Sequence, residues 1–329
     1  MPDHRRALIT GTLFAAVAGL MWGLVFIAPL LLPQYPAALL AAARYLAFGL
    51  IALPLGWLGR ARLATLSRAD WVEALKLSAI GNLLYYLCLA AAIQRAGAPL
   101  PTMLIGTLPV VIAIVSNRRD AARDGRLRWR QLAPSLLLIG AGIAGVNRDE
   151  MQALQGADAA TWTRYAGGAL LAVGALACWT WYPLRNADWL RAHADRPPGT
   201  WATAQGLATL PLAALAYAAF WAWSAWRSGS APVAAPFTMP FGPTPLRFVA
   251  LMFTIGLTAS WLGTLCWNEA SQRLPTALVG QLIVFETLFA LAYAFLLRGH
   301  IPPLATVAGV VLLVAGVVWA LRGRPARAH

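Results

Sequence analysis

Two ionisable residues stand inside otherwise apolar runs of this chain and are placed to do chemistry. Glu286 is the eleventh residue after Pro275. At 1.5 Å per helical residue it lies roughly 16 Å into its run, near the centre of a bilayer's hydrocarbon. A carboxyl group there must be neutralised or partnered. Two roles fit: an acid that takes up a proton or binds a cation, or a carboxyl tied to backbone groups at a break in its helix. Arg44 lies roughly 12 Å into a second run. Its guanidinium either snorkels outward, makes a structural hydrogen bond, holds a carboxylate brought by a ligand, or pairs with Glu286, which stands at a compatible depth.

Polar side chains recur at helical spacing around these two. One stripe is Ser78, Asn82, Tyr85 and Tyr86; another is Ser260, Thr264 and Asn268. Such stripes face protein or water rather than lipid, as packing contacts or as the wall of a wet cavity. Trp22, Trp179 and Tyr182 would add aromatic surface to that wall, and Thr102 and Gln281 further polar groups. Gln281 is five residues from Glu286, about 140° around the helix, so the two cannot share one narrow face. Gly19 and Gly23, and Thr102 and Gly106, have the small-xxx-small spacing of close helix crossings. Other chemistries lack their residues. His4, His193, His300 and His329 all fall in tails or links. No His-Glu-x-x-His or P-loop occurs. Cys88, Cys178 and Cys266 are isolated, without metal-ligand spacing. Neither catalysis nor a cofactor is expected.

These residues must be positioned by helices that cross a membrane. Of 329 residues, 60% are hydrophobic and 12% charged, against about 25% charged in soluble domains. Ten spans are expected, all α-helical: 8–30, 36–58, 71–95, 98–117, 129–146, 165–184, 201–223, 245–270, 275–297 and 302–321. Pro33 and Pro36 close the first link, Asp70 is expected to cap the third span, and Pro275 and Pro302 open the last two. The first run is too long for a cleaved signal peptide. The net charge of +14 does not indicate nucleic acid, because the Arg residues sit between spans. With the N-terminus inside, inner segments hold 18 Arg and outer segments 6. Both termini are therefore expected to be cytoplasmic.

The chain also repeats itself. Residues 87–95 (LCLAAAIQR) match residues 265–273 (LCWNEASQR) at five of nine positions, at an offset of 178. Trp22 matches Trp179, and Leu53-Pro54-Leu55 matches Leu210-Pro211-Leu212, both at an offset of 157. An insertion in the Pro-, Ala- and Gly-rich link 224–244 accounts for the difference. Each copy holds five spans, so the second must enter the membrane inverted. The expected division is a first repeat at 1–147, a periplasmic linker at 148–164 and a second repeat at 165–329. Inverted halves can tilt about a central site and open it to either face.

The order of spans, the Trp late in spans one and six, Ala43-Arg44-Tyr45 in span two, and the paired hairpins of spans three–four and eight–nine resemble the drug/metabolite transporter superfamily, of the EamA-domain type, over residues 8–321. The resemblance implies alternating access and a central cavity lined by spans one, three, four, six, eight and nine. Spans five and ten would be peripheral. It implies export of a small organic solute such as an amino acid, metabolite or drug-like compound across the inner membrane. The other functions weighed are a channel and a membrane enzyme. The partners expected are that solute and the lipid bilayer; the residues set no oligomeric state. The family usually has Glu-Pro in span nine, but here Thr287 follows Glu286, so the residue that would kink that span is missing. Its counterpart in span four is present as Pro109.

The topology is testable with single cysteines at Ala121 and Ser230. In intact spheroplasts an impermeant thiol reagent should label position 230 and spare position 121. The opposite pattern would reverse the orientation.

Overall fold

The computed structural model describes residues 2–119, 155–228, 237–274, 282–299 and 304–322, with residue 279 and individual positions between 130 and 145. Pro275, Gln281, Pro302, residues 120–129 and the centre of the link 224–244 lie outside these. No strand occurs among the described residues. Six helices are long and apolar enough to cross a membrane: Arg6–Leu31, Ala37–Leu58, Arg68–Ala96, Ala159–Ala192, Pro198–Trp226 and Pro245–Arg273. Shorter apolar helices, Pro99–Ile112, Ala133–Gly142, Val284–Leu297 and Leu304–Gly316, stand at the remaining expected spans.

Helix ends follow local chemistry, with two differences from expectation. Ser67, not Asp70, caps span three. Its hydroxyl accepts from the Asp70 backbone N–H (3.2 Å), while the Asp70 carboxylate accepts from the Ser67 N–H (2.8 Å). This is a capping box, with the acid at the third helical position. Span six begins at Ala159, inside the expected linker, because the Asp158 carboxylate accepts from the Thr161 N–H at 2.9 Å and starts the helix there. Spans three and four meet at Gly97, whose φ of 76° only glycine adopts readily.

Among the described residues the backbone of several spans is irregular. Span one changes to a 3₁₀ turn at Leu24–Phe26. Pro29 has no N–H for the Val25 carbonyl, and that carbonyl accepts from the Tyr86 hydroxyl at 3.2 Å instead. Span four breaks between Ile105 and Leu108, just before Pro109. Spans three and eight each contain one π-helical stretch, Ser78–Leu84 and Gly256–Leu262. The two stretches are in the same register under the 178-residue offset.

Helix crossings are set by glycines at close approach. A Cβ on Gly11 would meet the Leu274 side chain at 2.6 Å, and one on Gly168 would meet the Ala96 Cβ at 2.7 Å. Gly168 lies 157 residues after Gly11, and Leu274 lies 178 residues after Ala96, the two offsets of the sequence matches. Gly19 and Gly23 let span one lie on span nine: a Cβ at Gly19 would be 2.6 Å from the Phe285 Cβ and 2.9 Å from the Glu286 backbone nitrogen. Spans five and ten touch through Gly142, where a Cβ would come within 2.6 Å of the Gly309 carbonyl oxygen, and through Ser135, which donates to the Gly316 carbonyl at 2.6 Å.

The Gly19 crossing presses on backbone and cannot yield by a rotamer change. Gly19→Val should destabilise the purified protein by about 1–3 kcal/mol or more. Gly140→Val, with nothing within 4 Å of the added Cβ, should leave the melting temperature nearly unchanged. Equal effects in thermal unfolding would discount the crossing.

Candidate functional site

Glu286 lies in the first turn of Val284–Arg298, just after a turn at Ile283. Its N–H bonds the Ile283 carbonyl at 2.9 Å, three residues back. A helix break is therefore present without the family's proline. The carboxyl group is 1% exposed, and it is held by side chains rather than by backbone. Trp179 donates Nε1–H to Oε2 at 3.1 Å, and the Tyr85 hydroxyl donates to Oε1 at 3.4 Å. Spans three and six thus fasten span nine by its acid.

Arg44 does not snorkel; it is 3% exposed. Its Nε donates to the Ser260 hydroxyl at 3.1 Å. The guanidinium lies over the Tyr86 ring at 4.4 Å and the Tyr45 ring at 4.8 Å, cation–π contacts that strengthen where water is excluded. One terminal nitrogen, Nη1, is buried with no hydrogen-bond partner. No ion pair within 4 Å joins Arg44 to Glu286, but both line one closed cavity of about 10 Å³, about the room one water molecule needs.

The aromatic wall is continuous. Trp179 stacks between Tyr85 (4.6 Å) and Tyr182 (5.0 Å) and meets Trp22 edge-on at 5.1 Å. Trp22 is fixed by donating Nε1–H to the Ala259 carbonyl at 2.8 Å, inside the π-helical stretch of span eight. On span three, Gly81 makes room for Tyr182, since a Cβ there would be 2.1 Å from the ring. The two irregular stretches thus receive aromatic residues from spans one and six.

Of the residues expected at the cavity, Trp22, Asn82, Tyr85, Trp179, Ser260, Thr264, Arg44 and Glu286 line it. Four others do not. Tyr86 lies behind Arg44. Thr102 donates to the Ala98 carbonyl at 2.7 Å within its own helix. Tyr182 turns its hydroxyl to the Gln205 Oε1 at 2.7 Å. Asn268 accepts from Asn186 at 2.9 Å. Gln281 lies outside the described residues. Helical spacing gives a face but not which helix meets it, and these four meet neighbours instead of the cavity. Tyr45 and Val25 line the cavity and were not expected there; the Ala43-Arg44-Tyr45 motif was the available signal for Tyr45. A buried polar chain was also missed: Asn82 donates to Thr209 (3.2 Å), Thr209 bonds Ser78 (2.8 Å), and Gln205 donates to Asn186 (3.0 Å).

The two ends of the bundle are held together by different chemistry. At the end carrying the Arg60–Arg68 link, span three meets span six through Arg185 on Glu73 (2.5 and 3.2 Å) and Trp189 Nε1 on Asp70 (2.8 Å). At the other end, Tyr35 stacks on Phe248 at 4.7 Å and meets Phe237 edge-on. Its hydroxyl donates to the Phe241 carbonyl at 2.8 Å and accepts from the Thr244 N–H at 2.9 Å. Among the described residues no group of three or more His, Cys, Asp or Glu is placed to hold a metal ion.

Residues 9–148 match the EamA-like transporter family. Over 318 residues, 97% of each chain, the sequence is 53% identical to Inner membrane protein YtfF of Escherichia coli K12. A crystal structure of a protein 20% identical superposes with a TM-score of 0.63, covering 95% of this chain and 98% of the other.

Trp179→Phe keeps the ring and removes the donor to Glu286. It should cost about 1–3 kcal/mol, the price of leaving a buried acceptor unpaired. Combined with Glu286→Gln, the loss should be less than the sum of the single changes, because the groups touch. Strict additivity in thermal unfolding would show that the contact carries no energy.

Proposed function

Because the chain belongs to the EamA-like transporter family, we propose that it is a secondary transporter that crosses the inner membrane ten times and exports a small organic solute by alternating access. The proposed class is an amino acid, metabolite or drug-like compound. Both termini face the cytoplasm, in keeping with the Arg bias. The two halves are inverted copies; the shared register of the π-helical stretches and the paired crossings of Gly11 and Gly168 support this.

One observation carries the reading. A guanidinium with an unpartnered N–H and a carboxyl group face the same aromatic cavity in the middle of the bundle. Such a site offers a guanidinium, a carboxyl group and ring faces to a polar solute in a place buried from bulk solvent. The cavity is buried and too small for a solute, whose pocket needs roughly 300 Å³ or more. Loading a solute then requires the helices around it to part.

Counterflow in proteoliposomes, screened across amino acids, sugars, nucleosides and organic cations, tests the function. Saturable uptake of at least one class is expected, with Arg44→Gln reducing it at least tenfold. If Glu286 carries the coupling proton, Glu286→Gln keeps exchange and loses the drive of a pH gradient. No counterflow of any class by folded protein would reject the proposal.

A further inference from the structure

His193 ends the helix Ala159–Ala192 at the Arg-rich end, where span six meets span three. Its Nδ1 is 3.0 Å from the Trp189 carbonyl oxygen, and its Nε2 is 3.4 Å from the Asp70 carboxylate. Both neighbours are acceptors. A neutral imidazole carries one N–H and can serve only one of them; the imidazolium serves both. The ring also stacks on Trp189 at 4.3 Å and 19°, which favours a positive ring, and it sits at a helix C-terminus, where positive charge is stabilised.

The surrounding charges leave this place open to a proton. Asp70 is already held by Ser67 and Trp189, which fixes its carboxylate toward His193. Glu73, one turn on, is taken by Arg185. On the same helix Asp188 is engaged by Arg119 and Arg191. In the following link Asp195 and Arg196 pair with each other, and Arg196 also reaches Thr65. Span seven brings Trp201, stacked on Trp189, and no charged residue over 198–205. The equivalent contact at the other end, Tyr35 on Phe248, has no ionisable pair.

We infer that His193 and Asp70 form a proton-binding site that locks the Arg-rich end of the bundle shut, so that protonation favours the end closed and its loss lets spans three and six part. Only the imidazolium donates to both acceptors across this contact, so closure strengthens in acid and weakens in base. The Tyr35 end does not respond. The inference rests on the two-ended carrier reading, but a distance in detergent decides it without any transport.

The test places spin labels at Val72 and Ala194, with Cys88, Cys178 and Cys266 replaced by Ala, and compares them with labels at Gln34 and Leu246 across the other end. Between pH 6 and pH 8 the long-distance population of the first pair should rise several-fold, and that of the second should stay constant. His193→Gln should show the pH 8 distribution at every pH, and His193→Arg the pH 6 distribution; melting temperatures report whether each variant is folded. A first pair insensitive to pH in the unchanged chain, or a pH response that persists in folded His193→Gln, would overturn the inference. If the distances respond as expected while counterflow fails, the lock stands and the carrier reading falls.

Discussion

A guanidinium and a carboxyl group are buried at the centre of this bundle without an ion pair between them, and the helices around them are arranged to satisfy each one separately. Removing such groups from water costs several kcal/mol unless hydrogen bonds or ring faces replace the solvent. Arg44 draws Tyr86 of span three and Ser260 of span eight onto span two. Glu286 draws Trp179 of span six and Tyr85 of span three onto span nine. Five helices are thus tied at one level by two residues. The remaining open donor on Arg44 is the part of this arrangement the protein's own side chains leave unmet.

Holding those side chains at one level needs irregular backbone. The π-helical stretches of spans three and eight widen the turns against which Tyr182 and Trp22 pack. The break at Ile283 aims Glu286 into the cavity, and the turn before Pro29 frees a carbonyl for Tyr86. Irregular backbone inside a membrane is tolerated where it is buried in protein or lines a cavity, since lipid offers it no hydrogen bonds. The 3₁₀ turn of span one and both π-helical stretches contribute residues to the cavity wall.

Equivalent crossings coexist with unlike ends. Gly11 on Leu274 and Gly168 on Ala96 use the same geometry, because close helix approach depends only on the absence of a side chain. The contacts at the two ends differ: carboxylates, Arg185 and His193 at one end, Tyr35 with Phe248 and Phe237 at the other. An ionic contact answers to pH and ionic strength and an aromatic one does not, so the two ends are held under different conditions.

The sequence by itself determined the helices and their order. Apolar runs and Pro109 act through nearest neighbours along the chain, and the match of residues 87–95 to 265–273 is a matter of residue identity at a fixed offset. It also singled out Glu286, Arg44, Trp22 and Trp179, because charge and large aromatic surface are conspicuous in apolar runs. Only the tertiary structure decided which of the polar stripes meets the cavity. Tyr86 and Asn82 share a helix and nearly a face, yet one braces Arg44 and the other lines the cavity, according to which neighbour each finds. Tyr182 and Asn268 were drawn away by Gln205 and Asn186, partners distant in sequence or on another helix. His193 read as a loop residue until the fold set the Asp70 carboxylate opposite its ring. A side chain's type and spacing are written locally; the atom that satisfies it belongs to another helix, and only the packing of helices brings the two into contact.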